Sequence, residues 1–388
     1  MYIYEHQEWP EFRWDEHRLS GLLFEVTFLL GTVIGKMNAV ESIFKKEVLL
    51  TDMTDEIVKS SAIEGEHLNF EEVRSSVARK FDMPESVQTA SSHYIEGIVE
   101  MMTDARCNFR NRLTLERLCS WQASLFPTGY SGMYKIRTGE IRDDAQGPMQ
   151  VVSSKFGNSY VYYEAPPAEK LPEYINDFLQ WIESDSNINP LIKASLAHLW
   201  FITLHPFDDG NGRIARAITE LMLSRADKSS YRFYSMSGQI LKARNDYYRI
   251  LEQTQKGSLD VTMWIQWFLE TLLNSLRESS GLVDKIVTKA MTWQKLNKIA
   301  LDSNQKKIIT MMLDGFEGNL TSSKWAKICK CSQDTAIRSI NYLVENKVLE
   351  QKGAGRSTHY ILACMEKIDS EIPENLQTCH NLVQKSTK

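Results

Sequence analysis

A chain of 388 residues is too long for one ordinary domain, and two or three cores are expected. Its 43% hydrophobic and 24% charged residues exclude a disordered, collagenous or low-complexity protein. The net charge of −5, from 45 basic and 50 acidic residues, excludes a globally polyanion-binding surface, so any nucleic-acid contact must be local. Cys107, Cys119, Cys329, Cys331, Cys364 and Cys379 include no CxxC pair. That usage predicts reduced thiols in a cytoplasm and no zinc centre. Residues 1–10 lack the basic start and apolar run of a secretory signal. The apolar stretches break within about ten residues, against roughly 20 for a membrane span, so a cytoplasmic protein with no membrane partner is expected.

From Trp14 onward, Leu19, Leu22, Leu23, Val26, Leu30, Val33 and Met37 recur at three- and four-residue spacing, which predicts helices through about residue 105. Trp9, Phe12 and Trp14 are placed to cap the apolar face of the first. A second helix over about 52–65 should end near Gly65, a residue suited to the left-handed conformation there. Further helices are expected over 114–124, 171–183, 190–204 and 211–224, each with Pro, Asn, Asp or Thr near its start. Between the first two of these, residues 139–163 carry Val151, Val152, Tyr160, Val161, Tyr162 and Tyr163 around a Gly157-Asn158 turn, a hairpin signal. Residues 190–204 are apolar nearly all round and should form the central buried helix, with His198 as a hydrogen-bonded core residue. The expected organisation is mainly α: an N-terminal helical region (1–100), a core (101–275), a linker or connecting helix (276–303), a compact unit (304–362) and a polar tail (363–388).

One stretch concentrates chemistry: His205-Pro206-Phe207-Asp208-Asp209-Gly210-Asn211-Gly212-Arg213-Ile214-Ala215-Arg216. Backbone N–H groups of a Gly-containing turn at a helix start form an anion nest, and two arginines three apart add bidentate donors. The pattern suits a polyphosphate. The Asp209 carboxylate would repel that ligand unless a divalent cation lay between them, which implies Mg²⁺.

With every fixed position matched, the stretch resembles the Fic family motif, His-x-Phe-x-Asp/Glu-Gly-Asn-Gly-Arg-x-x-Arg. The similarity runs over about 100–275, through Gly132-Met133-Tyr134-Lys135-Ile136-Arg137, the expected hairpin and Asn245-Asp246-Tyr247-Tyr248. The resemblance implies a Fic-type helical core that transfers AMP from ATP to a Tyr, Thr or Ser hydroxyl of a target protein. His205 would then be the general base, an imidazole being suited to that role near neutral pH. Asp209 would hold Mg²⁺, Gly210, Asn211 and Gly212 would cradle phosphates, and Arg213 and Arg216 would clamp the β- and γ-phosphates. The phosphate-transferring Doc branch carries Lys where this chain has Gly212. Val151 and Val152 would lie on a flap pairing with an extended target segment, and Asn245 and Tyr248 would contact ribose and adenine.

Ser60-Ser61-Ala62-Ile63-Glu64-Gly65 resembles the family's inhibitory motif placed ahead of the core, the class II arrangement. Ser60 and Glu64 lie one helical turn apart on one face. The resemblance implies that Glu64 pairs with Arg216 and denies it to the γ-phosphate. A reverse activity, removal of AMP from a modified protein, stays open, as does a homodimer.

Residues 304–362 resemble a winged helix-turn-helix, with helices over 323–329 and 334–345 and strands over 348–351 and 359–362. Nine basic residues face five acidic ones there, a net of +4. Arg338 could meet a base edge and Lys352 and Arg356 phosphates; a protein-interaction role remains the alternative, as does a DNA-binding regulator whose core only senses nucleotide.

Overall fold

The computed structural model describes residues 1–38, 42–83, 91–155 and 158–363. They fall into two compact units, Met1–Val283 and Asp284–Lys388. The fold is mainly helical with small two-stranded hairpins, as the patterning predicts.

In the first unit, α1 (Glu16–Asn38), α2 (Ser42–Ile63), α3 (Phe70–Lys80), α4 (His93–Cys107) and α5 (Leu115–Leu125) precede two hairpins. These are β1 (Tyr130–Ser131) with β2 (Tyr134–Lys135), and β3 (Gln150–Lys155) with β4 (Asn158–Glu164). Then follow α6 (Leu171–Glu183), α7 (Pro190–Leu204), α8 (Asn211–Asp227), α9 (Met236–Lys242), α10 (Arg244–Gln255) and α11 (Thr262–Leu296), the last running on into the second unit. Asn189 caps α7, its side chain accepting from the Leu191 N–H with Pro190 at the first helical position. Every residue of α7 from Leu191 to Leu204 is buried, so it is the axis of the unit, as its apolar circumference requires. Val26 of α1, Met53 and Ile57 of α2, Ile98 of α4 and Ile214 and Ile218 of α8 join α7 in one core. His198 is a core residue as expected: Nδ1 meets the Thr219 hydroxyl at 2.8 Å and Nε2 the Tyr247 hydroxyl at 2.9 Å.

Several expectations need correction. α2 begins well before residue 52, because Val48, Leu49, Leu50 and Met53, all buried, already continue the helical spacing. Trp9 and Phe12 reach beyond α1 to α7. Their rings meet edge-on at 5.2 Å and pack on Trp200 of α7, at 6.0 and 5.7 Å. Of the two expectations for residues 276–303, a linker or a connecting helix, the helix is found as far as Leu296, with Leu276, Val283 and Ala290, seven residues apart, buried along α11. α1 is long and apolar enough to cross a membrane by length and composition, with a mean hydropathy of 1.5 over 18 residues. Its glycines, threonines and Glu25 interrupt the apolar run, yet the window holds at most two charged residues. One face of α1 packs in the core through Leu19, Val26, Leu30, Val33 and Met37, while Phe24 and Phe28 stack 6.3 Å apart on the exposed side. Of the expected Gly157-Asn158 turn, Gly157 lies outside the described residues.

In the second unit, α12 (Ser303–Leu313), α13 (Ser322–Cys329) and α14 (Gln333–Glu345) precede an antiparallel pair, β5 (Leu349–Lys352) with β6 (His359–Leu362). Lys330, at φ 50°, turns the chain out of α13, and the Ser332 side chain caps α14. Ile308, Ile309, Trp325, Ala336, Ile340, Leu343 and Leu362 form its core. The tail beyond residue 363 and the side chain of Arg356 lie outside the described residues.

Candidate active site

His205 is the C-cap of α7 and sits in the left-handed region, φ 47°, ψ 55°. A non-glycine residue there must be held, and Arg142 holds it. The Arg142 side chain is buried; its Nε donates to the His205 carbonyl at 2.8 Å and Nη2 to the Pro166 carbonyl at 2.6 Å, while its backbone N–H donates to the Pro206 carbonyl at 2.9 Å. Nδ1 of His205 faces the Ile202 carbonyl at 3.4 Å. With that nitrogen protonated, Nε2 keeps its lone pair for the cavity. Burial pushes the imidazole down to about 4, so it is neutral at physiological pH and ready to accept a proton.

Beyond His205, Phe207 enters the core with no exposed area and Asn211 closes the loop. The Asn211 carboxamide accepts from the Phe207 N–H at 3.0 Å and donates to the Phe207 carbonyl at 2.7 Å. Its side chain is therefore a brace, and what it offers a ligand is backbone N–H. Gly210 takes φ 89° at the N-cap of α8, and a Cβ there would press on Leu125 and Phe126 at 3.0 Å. Asp209 accepts from the Gly210 N–H at 2.6 Å, shares a short hydrogen bond with the Ser131 hydroxyl, and remains 43% exposed, enough to take a cation.

Arg213 and Arg216, on successive turns of α8, are both already engaged. Arg216 donates from Nε to the Ser60 hydroxyl at 2.8 Å and from Nη2 to the Ser60 carbonyl at 2.9 Å and to Glu64 Oε1 at 2.8 Å. Burial pushes the Glu64 carboxyl up, but the Arg216 guanidinium outweighs it and holds it below the usual carboxylate range. The Glu64 carboxylate lies directly over Gly212; a Cβ at that position would collide with Oε1. Tyr248 donates its hydroxyl to the Ile63 carbonyl at 3.3 Å and meets Glu64 Oε2 at 3.4 Å. Arg213 donates to Tyr94 at 2.6 Å and to Glu66 Oε2 at 3.1 Å, with its guanidinium 5.1 Å from the Phe126 ring centroid. Arg216 Nη1 and Arg213 Nε are nonetheless buried without a hydrogen-bond partner, donors that an anion would satisfy.

These groups ring a cavity of about 690 Å³. His205, Asp209, Gly210, Asn211, Gly212 and Arg213 form its floor, Met149 and the start of β3 from Gln150 to Val152 one wall, and Arg244, Asn245 and Tyr248 of α10 the other, with Glu64 reaching in. Arg216 does not line it, being covered by Glu64 and Ser60. Val152 is 53% exposed on a strand whose register shifts between Val151 and Val152. β4 is anchored beneath: Tyr163 donates its hydroxyl to the Thr203 carbonyl at 2.7 Å, and the rings of Tyr2 and Tyr4 pack on its own.

Comparison with known proteins agrees with this geometry. Residues 112–223, which include the whole cavity floor, match the model of the Fic/DOC family. The chain carries a Fic/DOC domain. Residues 2–83, holding α1, α2 and α3, match a domain of unknown function, DUF4172. The chain is similar to a protein adenylyltransferase Fic of Nematostella vectensis, 32% identical over 117 residues, which are 29% of this chain and 26% of that protein. A probable protein adenylyltransferase of Aquifex aeolicus is 22% identical over 218 residues, 55% of this chain and 60% of its own. The chain thus spans about a quarter and three-fifths of these relatives. A crystal structure of a Fic family protein from Desulfovibrio desulfuricans shares the fold at a TM-score of 0.53 and 21% identity, covering 89% of this chain and 95% of that one. A Fic domain-containing signalling protein from Bacteroides thetaiotaomicron does so at 0.50 and 18%, covering 68% and 97%.

Glu64, Val151, Val152, His205, Asp209, Gly210, Asn211, Gly212, Arg213, Asn245 and Tyr248 all line this cavity, while Ser60 and Arg216 pair outside its lining. Arg142, Tyr94, Glu66, Tyr163 and Arg244 escape a reading of the sequence. Glu66 alone carried a signal, an acid two residues past Glu64 just beyond the end of α2.

Proposed function

We propose that the chain is a Mg²⁺-dependent protein adenylyltransferase, moving AMP from ATP to a Tyr, Thr or Ser hydroxyl, held inactive by Glu64. The observation that carries this is the seat of Glu64: its carboxylate occupies the space over Gly212 and takes the Arg216 donors meant for a phosphate. ATP entering beside it would be denied Arg216 and would place its α-phosphorus off line from His205. With Glu64 withdrawn, the backbone N–H groups of residues 210–212 and both guanidiniums orient the triphosphate. Asn245 and Tyr248 are placed to flank the nucleoside.

His205 Nε2 takes the proton of the target hydroxyl as that oxygen bonds the α-phosphorus. The bond from the α-phosphorus to the bridging oxygen breaks, and its electron pair leaves with pyrophosphate. The Asp209 carboxylate, an exposed oxygen donor opening on the cavity, would hold Mg²⁺, which when bound offsets phosphate charge. The exposed edge at Val152 would pair with an extended target segment and present its hydroxyl.

The test is labelling with ATP carrying α-³²P. Glu64→Gly protein should acquire AMP, confirmed by intact mass; wild type should acquire far less and Glu64→Gly/His205→Ala none. No label on Glu64→Gly with protein acceptors present and ATP binding intact would refute the assignment.

A further inference from the structure

The second unit carries chemistry that nucleotidyl transfer leaves unused. Between residues 304 and 362, nine Lys and Arg face five Asp and Glu, a net of +4 in a chain whose total is −5. α13 and α14 are joined by three residues, and α14 turns Ala336, Ile340 and Leu343 into the core against Trp325. Its opposite face is left in solvent. Asp334, Ile337, Arg338 and Asn341 are exposed there at three- and four-residue spacing, hence on neighbouring turns. Among the described residues Arg338 has no ion-pair or hydrogen-bond partner, whereas Arg106, Arg142, Arg213, Arg216 and Arg232 of the first unit are all engaged.

We propose that residues 303–362 bind double-stranded DNA, with the exposed face of α14 in the major groove. A guanidinium there matches guanine O6 and N7, a carboxamide matches adenine N6 and N7, a carboxylate accepts from cytosine N4, and an aliphatic side chain meets the thymine methyl. Arg338, Asn341, Asp334 and Ile337 supply these four chemistries on one surface. Lys324 and Lys327 are exposed on α13, the helix that in this docking geometry crosses the phosphate backbone. Lys352, paired with Glu350 at 2.8 Å, ends β5 where the chain enters its turn, and gives a third phosphate contact. Charge and composition favour DNA over a protein partner, since a protein-docking core is depleted of charge and enriched in aromatic residues, and this face has no aromatic side chain. The deep, narrow major groove of an RNA duplex would not admit α14.

The experiment titrates the full-length protein against a fluorescent mixed-sequence duplex of about 30 base pairs while salt is varied from about 50 to 200 mM. Three lysine contacts predict a slope of log K against log salt of about −3, becoming shallower by about 2 in Lys324→Ala/Lys327→Ala. Against a duplex selected from a random pool, Arg338→Ala should lose roughly tenfold in affinity with little change in slope. Both variants should retain adenylylation. Absence of duplex binding at about 50 mM salt would overturn the proposal, and so would binding whose slope and sequence preference survive both variants. A protein found to cover Arg338 in place of DNA would overturn it too.

Discussion

Glu66 is the sharpest test of the proposed brake, because Glu64 on Arg216 has a companion in Glu66 on Arg213. The two ion pairs differ in exposure. Arg216–Glu64 spans 2.8 Å with side chains 2% and 30% exposed, and Arg213–Glu66 spans 3.1 Å at 3% and 40%. A charge-assisted pair in the first setting is worth about 2–3 kcal/mol, so Glu64→Gly should raise labelling by roughly 30- to 150-fold. The more solvated pair is worth about 0.5–1 kcal/mol, so Glu66→Gln should matter by only about 2- to 5-fold. The assay is α-labelled ATP turnover by wild type, the two single variants and the double. Glu66→Gln in the Glu64→Gly background should lower KM for ATP by that smaller factor and leave kcat unchanged, because Arg213 is released to the nucleotide before chemistry begins. An unchanged or raised KM would refute the reasoning and make Glu66 a helper of nucleotide binding.

Three further outcomes are expected. The acid limb of kcat/KM for Glu64→Gly should fall near pH 4, where His205 begins to hold its proton, rather than at about 6.5 for an exposed imidazole. Arg142→Ala should lower kcat by about 10- to 100-fold with KM for ATP little changed, since Arg142 touches the backbone of His205 and not the nucleotide; an altered KM alone would contradict this. Burial raises the Asp52 carboxyl from 3.8 to about 7, against the pull of Arg106. The folded state thus binds the extra proton, its stabilisation is complete below pH 4 and is lost as pH rises through 7. Thermal melting should show Tm falling from pH 6 to 8.5 in wild type and a flatter profile in Asp52→Asn.

What could be read from the sequence is what depends on neighbours along the chain. α6 and α7 have the expected bounds because Pro at the helix start and uninterrupted apolar spacing are local facts. The same holds for Ser60 and Glu64, four apart on one helix and both found on Arg216. Arg142 was silent because its partners lie some 63 residues on, at the end of another helix. Tyr94 and Glu66 meet Arg213 across 119 and 147 residues, contacts that only packing creates. Tyr163 looked like one more strand residue, yet its hydroxyl ties β4 to the last turn of α7. The apolar length of α1 is hidden for another reason: polar or small residues on an exposed side do not end a helix whose other side stays buried.

The way α2 is rooted limits how the proposed activity could be switched on. Asp52 and Glu56, both almost wholly enclosed, meet Arg106 of α4 and the hydroxyls of Ser235 and Ser237 beside α9, while Met53 and Ile57 have no exposed area at all. Cutting away residues 1–66 would therefore amputate a keystone and yield an insoluble remnant instead of a constitutively active one. Whatever frees the nucleotide site has only the last turn of α2 and the Gly65 pivot, at φ 88°, to work with. On the proposed reading Glu64 would act as a latch on a fixed doorframe, and a ligand or partner need shift only a few atoms to lift it.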